Sequence, residues 1–438
     1  MKIAFYTLGC KVNQYETQVM RELFEKSGHT ITNINNEADA FIINSCTVTG
    51  ESDRKTRQMV RHYKSLHKDA VVVLTGCMPQ AFPKDAEILK EADIVLGNTD
   101  HSKIVTALEE FIKNKKRTIS VECHPKDERF STPGITDFNE RTRAFMKIQD
   151  GCDRYCTYCI IPKARGPIRS KSLSDIKDEA EALSQNGFSE IVLVGINLTS
   201  FGKESGLNIC DAVNTVCSVK SIKRVRLGSL EPDHITDEML ISLKAQEKFC
   251  PQFHLSLQSG CDKTLKRMNR HYDTAFYRDL VTRIRKSFKD AAITTDIMVG
   301  FAGETEEEFN NSLSFAKEIG FASAHIFAYS RREGTVAYSL PNQIEKSEKS
   351  RRSKEMSKVT KDSEIEFLSS LIGKTYDVLF EAIDKNGYYH GFTKNYCPVK
   401  VKSDINITGK IADVEITGLD SACLIGQIKK PMEYGSYC

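Results

Sequence analysis

Cys152-Asp153-Arg154-Tyr155-Cys156-Thr157-Tyr158-Cys159 decides how the rest of this sequence is read. Its three thiols follow the apolar run Phe145 to Ile148. Thiolates so spaced can wrap an iron-sulfur cubane and leave its fourth iron without a protein ligand, which makes that iron a substrate site. A structural zinc site is the competing reading, but tetrahedral zinc wants a fourth ligand close by.

Downstream of the triplet, apolar runs recur, each followed by a helical stretch: Ile191 to Val194, Val225 to Leu227, Phe253 to Leu257, Thr295 to Val299 and His325 to Tyr329. With the first run they predict a partial (β/α)6 TIM-like barrel over about residues 144–345. Sites of that architecture are built at the C-terminal strand ends, which selects Gly195, Asn197, Ser229, Glu231, Gln258, Ser259 and Tyr329 as candidate ligand contacts. Taken singly these residues also fit blander roles: Gly195 can relieve crowding, and Glu231-Pro232 can make a turn.

Upstream, residues 1–120 alternate the runs Ile3 to Leu8, Ala40 to Ile43, Val71 to Leu74 and Ile94 to Leu96 with amphipathic stretches such as Gln14 to Lys26 and Arg54 to Leu66. This predicts an N-terminal α/β domain on a parallel sheet. Cys10, Cys46 and Cys77 each end a run and precede a helix, so all three belong at the carboxyl edge of that sheet, where ligands bind. A second cluster is the reading that uses all three; small buried hydrophobes is the other. Cys123, Cys210, Cys217, Cys250, Cys261, Cys397, Cys423 and Cys438 form no comparable pattern.

Residues 121–143 contain Pro133-Gly134 and little periodicity, and read as a linker. Residues 346–371 predict a charged helical connector, with seven basic against two acidic residues over 346–361. From 372 to 438, β-type runs punctuated by glycine (Tyr376 to Ala382, Tyr396 to Val401, Ile411 to Thr417, Cys423 to Ile428) predict a small all-β barrel.

A chain of 438 residues exceeds one core, and 40% apolar with 28% charged residues is ordinary for a soluble protein. No stretch is apolar enough for a bilayer, and the N-terminus does not read as a signal peptide, so the expected location is cytoplasmic with no membrane partner. Fourteen cysteines then sit in a reducing compartment, which favours ligands over disulfides. A net charge of +3 excludes a strongly basic nucleic-acid coat and leaves room for local patches.

The triplet spacing, in the loop after strand one of a βα barrel, resembles the radical S-adenosylmethionine superfamily. Together with Thr7-Leu8-Gly9-Cys10-Lys11-Val12-Asn13-Gln14-Tyr15-Glu16-Thr17, Asn44-Ser45-Cys46-Thr47-Val48-Thr49, Thr75-Gly76-Cys77, Gly300 to Thr305 and Tyr329 to Thr335, it makes the chain resemble the methylthiotransferases along nearly its full length. The family usually has proline where Ala302 stands, a departure that touches no ligand.

The resemblance implies two [4Fe-4S] clusters, S-adenosylmethionine as cosubstrate, Tyr158 beside its adenine, and a C-terminal TRAM domain. The cluster on Cys152, Cys156 and Cys159 would generate a deoxyadenosyl radical, and the one on Cys10, Cys46 and Cys77 would carry sulfur. The segment Lys11 to Thr17 looks like the branch that methylthiolates N6-threonylcarbamoyladenosine beside the tRNA anticodon. Isopentenyladenosine, a ribosomal-protein aspartate, or a non-catalytic iron-sulfur RNA-binding protein are the alternatives. Partners implied are tRNA at its anticodon loop, an electron donor and a sulfur source.

Phosphates need cations. Lys163, Arg165, Arg169 and Lys171 follow the triplet, and Arg54, Lys55, Arg57 and Arg61 follow Cys46; both groups are candidate RNA contacts, as against solvated faces. Residues 372–438 balance eight Lys against eight acidic residues, so RNA binding there would use aromatics such as Tyr388, Tyr389, Phe392 and Tyr396, which equally suit a core.

Overall fold

Lys2–Thr7, Ala40–Ser45 and Val71–Gly76 lie side by side, in register and parallel. The structure, a computed structural model, describes residues 1–138 and 141–429, so Cys438 lies outside the described residues. Ile94–Leu96 continues this sheet, and two three-residue strands, Thr30–Thr32 and Thr118–Ser120, form its edges. Those edges are too short and polar to register as apolar runs. The two central strands Ala40–Ser45 and Val71–Gly76 are buried throughout because helices cover both faces. Met20 and Phe24 of helix Lys11–Lys26 pack on one face with Ile104 and Leu108, while Val60 and Tyr63 of helix Gly50–Leu66 pack on the other.

All six predicted barrel strands are present, at Arg143–Lys147, Glu190–Val194, Arg224–Leu227 with Ser229–Leu230, Gln252–Leu255, Ala292–Val299 and Ser323–Ala328. Neighbours are parallel, as a βα barrel requires. The third strand changes partner at Gly228, pairing with Glu190–Val194 before it and with Gln252–Leu255 after it. A Cβ at Gly228 would stand 3.3 Å from the Leu193 carbonyl oxygen.

Helix Lys11–Lys26 belongs to two domains at once. Val12, Tyr15 and Val19 join the apolar core of the barrel rather than that of the N-terminal sheet. The segment read as a linker is pinned to this helix: Glu22 accepts from the Thr136 and Asp137 amides at 2.7 and 3.1 Å, the Tyr15 hydroxyl donates to the Pro133 carbonyl at 3.0 Å, and Ile135 and Phe138 are buried.

The connector is helix Lys346–Ser369. Its basic excess is used internally, since Arg352 is buried against Glu304 (2.8 Å) and Glu348 (2.7 Å), and Arg351 pairs with Glu306 (2.6 Å) and Glu355 (2.8 Å).

A closed five-stranded barrel follows, running Thr375–Ile383, Tyr388–Thr393, Pro398–Lys402, Cys423–Ile428, Ile411–Asp420 around its wall. Tyr388–Thr393 is the strand the sequence pattern missed, because His390 and Gly391 interrupt its apolar residues. This barrel seals the N-terminal end of the larger one. Phe392 and Tyr396 stack at 4.6 Å, with Arg143 and Arg226 over the Tyr396 ring at 4.7 and 4.5 Å. Arg224 reaches Asp377 at 3.0 Å, and Arg143 reaches Glu381 at 2.6 Å. Phe392 and Tyr396 are therefore taken by the domain interface and Tyr389 by the small core, which corrects their candidacy as base-stacking surfaces. Only Tyr388 remains, half-buried, under Lys400 and Lys402 at 5.2 and 5.1 Å.

Candidate cluster and cosubstrate site

Cys10, Cys46 and Cys77 stand just past the carboxyl ends of three adjacent parallel strands, as their strand-then-helix context predicts. Gly9 lets the first loop close on the second. It has φ +112°, and a Cβ there would lie 2.8 Å from the Cys46 Cβ and 3.2 Å from its sulfur, so any side chain would push the two loops apart. Asn13, one helical turn past Cys10, ties the loops together by donating to the Leu8 and Ser45 carbonyls at 3.0 and 2.9 Å.

Cys152, Cys156 and Cys159 occupy the loop after the first barrel strand. The Cys152 amide donates to the Gly166 carbonyl at 3.2 Å and the Cys159 amide to the Cys156 carbonyl at 2.9 Å. Thr157 fixes the middle of the loop, donating through its amide to Met268 (3.0 Å) and accepting from Ala337 (2.8 Å). Tyr158 points inward and packs edge-on to Phe301, while Tyr155 is exposed with φ +48°.

Each triad is served by a buried guanidinium that sequence reading missed or misassigned. Arg165 donates to the Cys77 sulfur at 3.2 Å and to both oxygens of Glu16 through its two terminal nitrogens, one of them at 2.9 Å; it also donates to Asn13 at 3.0 Å. Arg270 donates to the Cys156 sulfur at 3.2 Å and pairs with Glu231. Nothing local marks Arg270, which sits in a loop 114 residues from Cys156. Burial pushes the thiols of Cys77, Cys152 and Cys159 up to about 12. Burial alone would raise Glu16 too, but Arg165, Lys147 and His101 outweigh it and hold that carboxyl well below the usual range.

Arg165 has no exposed surface, Lys171 is buried with Glu179, and Arg169 is buried with Asp150 at 3.2 Å. All three were candidate phosphate contacts and are corrected to internal ion pairs, since a buried charge is retained only where its partners replace water. Lys163 is exposed, 4.9 Å over the Phe82 ring. Arg54, Lys55 and Arg61 are exposed on helix Gly50–Leu66 and Arg57 is half-buried; Arg54 pairs with Glu51 (2.6 Å) and Arg61 with Glu91 (3.2 Å). The start of that helix docks on the barrel loop after Tyr329, through Asp53 to Arg332 at 2.5 Å and the Gly50 amide to Ser330 at 3.0 Å. Lys163 approaches Gly334 of the same loop.

Of the strand-end residues, Gln258 and Tyr329 are buried with the Gln258 Oε1 and the Tyr329 hydroxyl unpartnered among the described residues, and Gln258 holds a positive φ of 66°. Buried polar atoms left open in this way suit a bound polar ligand. Ser229 is exposed to the barrel mouth. Asn197 and Ser259 are engaged locally, Asn197 with Ser200 at 2.7 Å and Ser259 with the Cys261 amide at 3.3 Å. Gly195 packs on Gln149, whose side chain a Cβ would meet at 2.8 Å.

Among the described residues no three His, Cys, Asp or Glu side chains converge on a point that would hold one metal ion. A cubane does not ask for that, because each thiolate takes a different iron. Two sets of three thiols, each beside a buried cation that offsets thiolate charge, fit clusters of this kind.

Residues 2–97 match an uncharacterized protein family, UPF0004, and residues 146–316 match the radical SAM superfamily. The chain is 34% identical over 420 residues to threonylcarbamoyladenosine tRNA methylthiotransferase MtaB of Bacillus subtilis, covering 94% of this chain and 93% of that one. It is 32% identical over 432 residues to tRNA-2-methylthio-N(6)-dimethylallyladenosine synthase of Caldicellulosiruptor saccharolyticus, covering 96% and 91%. A solved structure of similar fold is the radical S-adenosylmethionine methyltransferase TsrM of Kitasatospora setae, at TM-score 0.57, 14% identity, and 77% and 76% coverage. The superfamily brings with it S-adenosylmethionine and a [4Fe-4S] cluster. No helix among the described residues is long and apolar enough to cross a membrane. With both domain matches in sequence and a third of its residues shared along nearly its whole length, the chain is an enzyme that belongs to the MtaB-type radical S-adenosylmethionine methylthiotransferases.

Proposed function

We propose that this enzyme converts N6-threonylcarbamoyladenosine in the anticodon loop of tRNA to its 2-methylthio derivative. In this reading Cys152, Cys156 and Cys159 hold the radical-generating cluster, and Cys10, Cys46 and Cys77 hold a second one. The observation that carries it is the segment from Cys152 to Arg165: it begins with the first thiol triad and, through the short helix Ile161–Arg165, ends with a guanidinium on the Cys77 sulfur of the other, so one stretch of chain links the two triads. The relatives' names and the Lys11 to Thr17 segment supply the substrate.

When bound, the clusters and cosubstrate supply one-electron chemistry and a sulfur atom for an aromatic carbon that acid-base groups cannot readily substitute. The chain's own residues position and neutralise. Arg270 holds Glu231 beside the first triad, Gln258 and Tyr329 offer open polar atoms to the cosubstrate, and Tyr158 gives its adenine a wall. Arg165 offsets charge at the second triad. Lys55, Arg57 and Lys163, with Arg54 and Arg61 outside them, meet the phosphates of a loop whose bases are already partly unstacked. Turnover also needs an electron donor and a source of replacement sulfur. The proposed domains are 1–120 for the second cluster, 144–345 for radical chemistry, and 372–438, joined through 346–371, for RNA; residues 121–143 strap the first two together.

Nucleoside mass spectrometry of total tRNA from cells with and without the gene tests the reading. Selective loss of 2-methylthio-N6-threonylcarbamoyladenosine is expected. Loss of the isopentenyl derivative instead would move the substrate to the other branch, and an unchanged profile would move it to protein. Iron analysis of anaerobic Cys77→Ser and Cys156→Ser proteins should each show about four irons per chain fewer than the parent.

A further inference from the structure

A cavity of about 630 Å³ runs down the interior of the larger barrel from the Cys10 loop to the floor made by Phe392 and Tyr396. Gly195, Gly228 and Ser229 line its upper part, His254, Thr294, Asp296 and His325 its middle. Apolar barrel centres are normally filled by side chains. Here the middle is polar. His254 pairs with Asp296 at 3.2 Å and with Thr294 at 3.1 Å.

One group in this chamber is not used by the fold. Lys11, the residue after Cys10, lines the cavity and is solvent-accessible. Its ammonium makes no hydrogen bond and no ion pair with any described residue; it stands 6.0 Å over the Phe145 ring. The arginines whose charges act on it are committed elsewhere, Arg143 to Glu381 and Arg226 to Glu190 at 2.8 Å. Gln14, one turn further along the same helix, lines the same cavity with its Oε1 buried and unpartnered among the described residues. Asp296 acts on Lys11 only through space and is already shared with His254, and a partly desolvated cation with no direct partner is costly unless a ligand supplies the charge.

We infer that this chamber receives the N6 substituent of the modified adenosine and that Lys11 is the residue that recognises the substituent's carboxylate. The inference rests on the proposed function, since threonylcarbamoyl carries an anionic carboxylate, a hydroxyl and a urea-type N–H, whereas an isopentenyl group carries none of them. Lys11 meets the carboxylate, and the Thr294, His254 and Asp296 set, with Gln14, meets the neutral polar atoms. The adenine ring stays at the mouth, next to Cys10. Lys11 thus determines specificity without taking part in bond making.

Equilibrium binding separates this from a structural role. Anticodon stem-loops carrying threonylcarbamoyladenosine, its methyl ester, or unmodified adenosine are titrated into the full-length reconstituted protein without reductant, so no turnover intervenes. The parent should bind the acid roughly tenfold to a hundredfold more tightly than the ester, the range for a charge-assisted contact. Lys11→Met should bind the ester as the parent does and lose the preference for the acid, and Lys11→Arg should keep the preference. Equal weakening on acid and ester in Lys11→Met, or a parent indifferent to esterification, overturns the inference. Parent protein that forms no methylthio product from the acid stem-loop under reducing conditions, while still yielding deoxyadenosine, overturns the proposed function itself.

Discussion

Arg165 concentrates the physical argument at the scale of one residue. Its charge is fully buried, and it satisfies Glu16, Asn13 and the Cys77 sulfur together. Replacing it by methionine leaves Glu16 with Lys147 and His101 but without its two-pronged partner, and the expected cost is about 3 to 5 kcal/mol of stability, read as a lower urea midpoint of the apoprotein. Lysine should not restore it, because a single ammonium cannot reproduce the forked geometry. An unchanged midpoint would show that the interface tolerates an uncompensated carboxylate. Acid should act on the same network. Glu16 and Asp150 are held below their ordinary values, so the stability they contribute is complete above about pH 4.5 and is lost as pH falls through their folded-state values. Thermal melts at pH 7 and pH 4 check the sign, which fails if acidification leaves the melting temperature untouched. The sequence placed the six candidate cysteines at the ends of strands because strand-then-helix context is local. It could not place Arg165 or Arg270 on sulfur, since 88 and 114 residues separate those pairs.

At the scale of elements, the strand that closes the small barrel makes the sharpest case. Tyr388–Thr393 carries aromatic residues that on sequence grounds suit either stacking on bases or packing. Docking of the two barrels decides it for Phe392, which with Tyr396 meets Arg143 and Arg226. Tyr396→Ala should loosen the floor by about 2 to 4 kcal/mol, seen as faster hydrogen exchange in Thr375–Ile383 while the six large-barrel strands keep their protection. Uniform protection in that variant would mean that the salt bridges of Arg224 and Arg143 suffice alone. The same interface explains why the charge of residues 372–438 was uninformative. Its acidic members Asp377 and Glu381 answer arginines of another domain, a pairing that no count within the segment reveals.

For the whole molecule, the rim where helix Gly50–Leu66 meets the loop after Tyr329 is the expected path of the RNA backbone. Lys55→Ala combined with Arg57→Ala should weaken stem-loop binding and reduce the slope of log affinity against log salt by about 1 to 2. Arg169→Ala, whose contacts are carboxylates and carbonyls of the protein itself, should leave that slope alone. A slope unaffected by the double variant would move the footprint elsewhere. The domain order was legible from end to end because apolar runs with helical spacing report on sheets and barrels directly. How the domains lock was not, since the locking residues are charged, far apart in sequence, and indistinguishable in the chain from surface residues.

Helix Lys11–Lys26 leaves the ribosome well before the barrel it helps to fill, since Tyr15 and Val19 pack in a core whose other members extend past residue 300, and Glu16 waits for Arg165. Synthesis proceeds from the N-terminus at about 5 to 20 residues per second, so this helix spends many seconds with an apolar stripe and an unpaired carboxylate in water. The nascent N-terminal domain is thus an incomplete product with a sticky face, and a chaperone that shields it until the barrel is finished would act on the very helix that carries Cys10.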